Sequence, residues 1–351
     1  MCIPFTLLSQ SSMKYFQYQQ PFLLEAGGSL PGLTIAYHTW GQLNEDRSNV
    51  VWICHALTAN SDAVDWWPGL VGLNHVIDPA KYFIVCANII GSCYGTTGPL
   101  SIDPLTNNPY YHQFPQVTVR DMVKAHILLR KHLGIEKIFL LMGGSLGGYQ
   151  ALEWPVMEKE VIEHLFLIGT SATESPWGIA IHTTQRLAIE ADATWPESTP
   201  TAGSKGMKVA RGIGLLTYRN YDILHQKQVD PDVNKLDNFK ASSYINYQGD
   251  KLVKRFNAFS YWILTKAMDS HNLARGRGQL EEVLAGISQR TLIIGIATDI
   301  LCPLHEQRLL RVNIPNSNLV EIDSSYGHDG FLIEHEKISR VVDRWLQSLA
   351  K

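Results

Sequence analysis

Ser145 lies in Gly143-Gly144-Ser145-Leu146-Gly147-Gly148, a G-x-S-x-G signature. An apolar run of strand length, Ile138-Phe139-Leu140-Leu141-Met142, precedes it, and a helix-compatible segment, Tyr149-Gln150-Ala151-Leu152-Glu153-Trp154, follows. A strand, a sharp glycine turn and a helix would lift the serine Oγ clear of the backbone and aim helix N–H groups at the same spot. A serine hydroxyl is a weak nucleophile at neutral pH and needs a base, which in turn needs an orienting acid. Where a serine sits on such a turn, the chain order is serine, then carboxylate, then histidine. Asp299, after the strand-like run Thr291–Ala297, is the expected acid. His328, bracketed by Gly327 and Gly330 after the run Asn318–Ile322, is the expected base. Asp323 is a rival acid, too near His328 in sequence for the usual spacing, and Asp329 cannot readily orient the histidine next to it. The oxyanion of an acyl-transfer intermediate needs two backbone donors. Leu146, after the nucleophile, would give one, and Leu57, in the loop after Val50–Cys54, the other.

Other reactive side chains fit less well. Cys93 has no base and acid pattern around it, and His55, beside the oxyanion loop, reads as structural. No H-E-x-x-H or paired-cysteine motif occurs, so no metal site and no permanently bound cofactor is expected. The Ser145, His328 and Asp299 set implies acyl transfer, but it leaves open whether water or another hydroxyl accepts the acyl group.

Strand-like runs at Phe16–Leu24, Leu33–Thr39, Val50–Cys54, Tyr82–Ala87, Ile138–Met142, His164–Ile168, Thr291–Ala297 and Asn318–Ile322 would hold these groups. Several are continuously apolar, as parallel strands covered on both faces are. A helix is expected over Thr118–Leu133 and another over Ile338–Leu349. Alternation of the two predicts an α/β fold with a mainly parallel sheet, the α/β-hydrolase architecture that carries such a serine turn. The rhythm fails between Ser175 and Gln289, where only helical patterns occur, at Ile179–Ala191, Met207–Thr217, Lys251–Asp269 and Leu280–Ala285. The expected organisation is therefore a core of residues 13–174 and 290–351 with a helical lid inserted at 175–289. Residues 1–12 read as a disordered extension, or translation starts at Met13.

Of 351 residues, 45% are hydrophobic and 18% charged, enough for one large core. A net charge of -3 without a basic cluster favours neither nucleic acid nor an anionic membrane, and no apolar run reaches membrane-span length. Five scattered cysteines suit a reducing cytoplasm.

The chain resembles the homoserine O-acetyltransferases of methionine biosynthesis. The resemblance rests on Cys54-His55-Ala56-Leu57-Thr58, on Asp65-Trp66-Trp67-Pro68-Gly69-Leu70-Val71-Gly72, on Gly91-Ser92-Cys93-Tyr94-Gly95, on the Ser145 turn and on Gly327-His328-Asp329. In the lid it rests on Gln185-Arg186-Leu187-Ala188-Ile189, Ala210-Arg211, Leu216-Thr217-Tyr218 and Phe256-Asn257. It implies a ping-pong reaction in which acetyl-CoA, a co-substrate rather than a bound cofactor, acylates Ser145, and L-homoserine then takes the acyl group. It also implies that Arg211, Tyr218 and Asp329 contact the amino acid, and that the lid forms a homodimer. By type alone, Arg211 would be a lid ion pair and Tyr218 a core aromatic. The loop Ala59-Asn60-Ser61-Asp62-Ala63-Val64-Asp65 departs from the commoner glycine- and serine-rich version. A succinyl donor, a serine acceptor, a serine ester hydrolase and a non-catalytic binding protein are the alternatives.

Overall fold

The computed structural model describes residues 12–349. An eight-stranded sheet forms the centre. Its strands are β1 (Lys14–Tyr18), β2 (Leu33–Trp40), β3 (Val50–Cys54), β4 (Phe83–Ala87), β5 (Ile138–Gly144), β6 (Ile162–Ile168), β7 (Arg290–Ile296) and β8 (Ser317–Ile322). They lie in the order β1-β2-β4-β3-β5-β6-β7-β8. β1 and β2 pair antiparallel, β2 meets β4 antiparallel, and the remaining pairs are parallel. All of β3 and nearly all of β5 and β7 are buried, which is why these segments read as unbroken apolar runs.

The expected strand Phe16–Leu24 is divided. β1 ends at Tyr18, and Phe22–Leu23 pairs instead with Ser29–Leu30 in a small hairpin. Pro21 between them has no N–H for a ladder. The extension expected at 1–12 falls outside the described residues except for Ser12.

Helices α1 (Val119–His132) and α2 (Leu146–Met157) pack on the sheet. Thr118 caps α1 through a capping box: its hydroxyl accepts from the Asp121 N–H, and Asp121 Oδ2 accepts from the Thr118 N–H at 3.1 Å. Such a cap stabilises a helix by about 1 kcal/mol. Glu153 of α2 is buried against Arg120 at 3.1 Å and against Arg277, which ties the helix behind the serine turn to α1 and to the end of the helical insertion.

Six helices occupy the chain between β6 and β7: α3 (Pro176–Glu190), α4 (Ser204–Tyr218), α5 (Tyr221–Gln228), α6 (Lys240–Val253), α7 (Ala258–Asp269) and α8 (Leu280–Ala285). α5 was not expected, and the single helix expected over Lys251–Asp269 is two. The break falls at Lys254 to Asn257, where the Asn257 side chain accepts from the Ser260 N–H at 2.8 Å and starts α7 afresh. After β7 come α9 (Leu304–Asn313) and the closing α10 (His335–Leu349). α10 buries Ile338, Val342 and Trp345, one face at helical spacing, against the sheet.

Candidate active site

The serine turn follows from close packing of backbone. A Cβ on Gly147 would stand 2.1 Å from the Cys54 carbonyl oxygen, and one on Gly143 would stand 2.2 Å from that of Gly147. β5 and α2 can therefore meet β3 only through glycine. Between them Ser145 adopts φ 55 and ψ -127, a conformation that L side chains rarely take. Its N–H donates to the Ile168 carbonyl at 3.2 Å, and its own carbonyl accepts from Thr170 Oγ1 at 3.0 Å. Neighbours on both sides hold the strained residue in place.

Asp299 stands just past the end of β7, and His328 in a one-turn 3-10 helix, Gly327–Asp329, after β8. His328 Nδ1 lies 2.7 Å from Asp299 Oδ2. A carboxylate can only accept, so Nδ1 carries the hydrogen and Nε2 is left as the base. The other carboxylate oxygen, Oδ1, accepts from the N–H groups of Leu301 and Cys302 at 2.8 and 2.9 Å. Three interactions thus bind the acid and aim the imidazole. Burial opposes a charged His328, but Asp299, Asp329 and Glu174 outweigh it and raise its pKa above the ordinary imidazole value.

The rivals fall away on geometry. Asp323 is exposed, its carbonyl accepting from Lys337. His55 is fully buried, with Nδ1 donating to the Ala56 carbonyl and Nε2 accepting from the Ile89 N–H, and burial lowers its pKa to about 4. Burial raises the Cys93 thiol to about 11, so little of it is nucleophilic thiolate at neutral pH. Asp299, Cys302 and His328 each offer one donor atom within a 4.8 Å group. His328 Nδ1 is already committed to Asp299, and burial holds the Cys302 thiol well above its ordinary range, so this group reads as the hydrogen-bonded acid and base with a neighbouring thiol.

A cavity of about 390 Å³ opens on Ser145 and His328. Leu57 lines it from the loop after β3. Leu146 begins α2, so its N–H has no acceptor within the helix. Neither the Leu57 nor the Leu146 N–H is bonded to another group among the described residues; Leu146 adjoins Ser145 in the chain, and Leu57 shares its cavity.

Arg211, Tyr218 and Asp329 reach the same cavity. Arg211 and Tyr218 lie two turns apart on α4, with the Arg211 Cζ 5.6 Å from the Tyr218 ring centre. The Tyr218 ring stands 6.0 Å from that of His328. Gly327 makes this approach possible: at φ 65, a Cβ on it would meet the Tyr218 carbonyl at 2.9 Å. Asp329 Oδ2 is 3.1 Å from Arg219 Nε. Burial, opposed by Arg219, His328 and Arg211, raises the Asp329 pKa. Arg219 was not anticipated. It directly follows Tyr218 at the end of α4, and only the tertiary approach of α4 to the histidine turn reveals it. His182, Lys251 and Arg255 are further lining residues that sequence reasoning passed over, and Asp65 and Trp66, noted only for the resemblance, line the cavity too.

Residues 49–334 match the alpha/beta hydrolase fold family. Over 336 residues the chain is 47% identical to the homoserine O-acetyltransferase of Cyclobacterium marinum, covering 96% of this chain and 95% of that one. The crystal structure of homoserine O-acetyltransferase from Bacillus anthracis matches with a TM-score of 0.88 at 25% identity, over 96% of this chain and 97% of that one. Esterase E22 matches with a TM-score of 0.86 at 22% identity, over 95% of this chain and 99% of that one, a likeness of fold alone. Identity that runs the length of the chain thus agrees with the serine turn and the sheet order, and the chain belongs to the homoserine O-acetyltransferase family within the α/β-hydrolase fold.

Proposed function

We propose that this protein transfers an acetyl group from acetyl-CoA to the side-chain hydroxyl of L-homoserine through an acyl-Ser145 intermediate. One observation carries the reading: Arg211 and Asp329, opposite in charge, open into the cavity that holds Ser145 and His328. A guanidinium can grip an α-carboxylate and a carboxylate can pair an α-ammonium, which fixes an amino acid by its two ends. Only the side-chain hydroxyl is then free to reach the acyl-serine.

In the first half-reaction Ser145 Oγ attacks the thioester carbonyl while His328 Nε2 takes its proton. The Leu57 and Leu146 N–H groups receive the developing oxyanion. The C–S bond breaks, and His328 returns the proton to the departing thiolate. In the second half, the homoserine hydroxyl gives its proton to His328 and attacks the ester, and Ser145 leaves with that proton. Asp299 keeps the imidazole in register throughout. The helices at 175–289 act as a lid that limits water, which would otherwise hydrolyse the ester.

The decisive experiment compares thiol release from acetyl-CoA and succinyl-CoA, each with homoserine, with serine and with no acceptor. Fast release with acetyl-CoA and homoserine alone is the expected result. Equal release without an acceptor would make the protein a hydrolase. Arg211→Ala should slow acyl transfer to homoserine by roughly 10- to 100-fold, the value of one charged hydrogen-bonded contact. Acylation of Ser145 by acetyl-CoA should change by less than about 3-fold in that variant. Equal losses in both halves would make Arg211 structural.

The lid is also the proposed dimer surface. Leu187, Val209 and Leu216 expose more than half of their surface on α3 and α4, an arrangement that favours burial against a second copy. Sedimentation equilibrium should give twice the 39.4 kDa chain mass, and a monomer at micromolar concentration would overturn this part of the reading.

A further inference from the structure

Arg255 occupies the break between α6 and α7 and lines the cavity. Its Nη1 donates to the Thr58 carbonyl and to the Tyr94 hydroxyl, both at 2.5 Å, and its Nη2 lies 3.5 Å from Thr58 Oγ1. The contact is closed from the other side by Cys93, whose Sγ lies 3.7 Å from the Arg255 carbonyl oxygen. Thr58 and Tyr94 are neutral, and Arg255 takes part in no ion pair among the described residues. A rigid guanidinium fork spent on neutral acceptors fixes geometry rather than cancelling charge.

What it fixes is the loop after β3. The Ala59 N–H donates to the Ala56 carbonyl at 3.1 Å, closing a turn over residues 56–59 with Leu57 and Thr58 at its centre. The peptide between Thr58 and Ala59 is therefore held at both ends, its N–H by Ala56 and its carbonyl by Arg255. The Leu57 N–H belongs to the Ala56–Leu57 peptide, whose carbonyl accepts that same Ala59 N–H, so pinning the Thr58–Ala59 peptide helps hold the unbonded Leu57 N–H in one direction.

We infer that Arg255 is a positioning residue that sets the Leu57 oxyanion donor from the lid side. This rests on the acyl-transfer reading of the site. The group touches the turn, not the reacting atoms, and serves every acyl donor alike. A displaced donor costs less than a deleted one, so the expected loss is about 10- to 100-fold.

The test measures Ser145 acylation by acetyl-CoA and by p-nitrophenyl acetate, a small ester without the carrier. Arg255→Ala should slow both by the same factor, with KM for acetyl-CoA within about 3-fold of wild type and an unchanged melting transition. Arg255→Lys should recover little, because one ammonium lacks the planar fork. Tyr94→Phe, which removes only the second acceptor of Nη1, should slow both donors by a smaller common factor. If Arg255→Ala raises KM for acetyl-CoA while ester acylation stays at the wild-type rate, the residue contacts the carrier and the inference fails. Should Arg255→Ala not fold, Arg255→Lys and Tyr94→Phe carry the same comparison. A wild-type enzyme that acylates from neither donor overturns the acyl-transfer reading together with this inference. A wild type that acylates no faster than Arg255→Ala overturns the inference alone.

Discussion

Ser145→Ala should leave no acyl-enzyme after exposure to acetyl-CoA and should lower turnover by at least about 10⁴-fold, the scale seen when a triad nucleophile is removed. Cys302, the thiol grouped with Asp299 and His328, is buried, and burial holds it protonated, so it offers no substitute nucleophile. Intact-mass measurement reads the result directly, and a mass gain of one acetyl group on the variant would refute the assignment. Ser145→Gly extends the test to stability. At φ 55 and ψ -127 the backbone of a residue with a Cβ is strained, whereas glycine takes that region freely. The glycine variant should be equally inactive yet more stable than Ser145→Ala by about 1 to 3 kcal/mol, less the greater chain entropy of glycine. Denaturant titration of the two inactive variants gives that difference. Equal stability would mean that the turn carries no strain.

Asp299→Asn should reduce kcat by roughly 10⁴-fold with the fold retained, as the matching change does in serine protease triads. The amide can present its N–H to Nδ1, which favours the wrong tautomer and leaves Nε2 carrying the hydrogen. A second consequence concerns pH. Burial by itself lowers the His328 pKa, and Asp299 is the largest influence acting against it. The base works only when neutral, so activity in the intact protein should rise with pH through a midpoint above the ordinary imidazole value. Removing the Asp299 charge leaves burial less opposed, and the midpoint should move to lower pH in the residual activity. The kcat/KM profile of both proteins checks this. A midpoint that moves upward, or does not move, would mean that Asp299 does not govern the base.

Local sequence pointed to the proposed reacting groups more clearly than to their surroundings. Ser145 was legible because glycine spacing, an apolar strand and a helix coincide within a few residues. Asp299 and His328 followed from their order and their places after strands. Arg211, Tyr218 and Asp329 were not legible from residue type, because what joins them is the approach of α4 to the histidine turn. That contact links residues more than a hundred positions apart, and no local pattern encodes it. The unbroken helix expected over Lys251–Asp269 hid another feature. Asn257 followed by Ser260 was a cap signal, and reading it would have set Arg255 in a connection, where functional groups concentrate. Pro21 offered a similar warning at the first strand.

The close approach of Gly327 to the Tyr218 carbonyl bears on how this fold can be reshaped. Where a base loop and a cap touch only solvent, a cap can be exchanged like a lampshade. Here the backbone of one is the wall of the other, with no side chain between them to absorb an error. A cap borrowed from an esterase of the same fold would have to reproduce that approach, or the imidazole would shift with it. On the roles proposed for α4 and His328, acceptor choice and proton transfer are not separate modules in this chain. Any lineage or engineer changing one has to renegotiate the other at a single glycine.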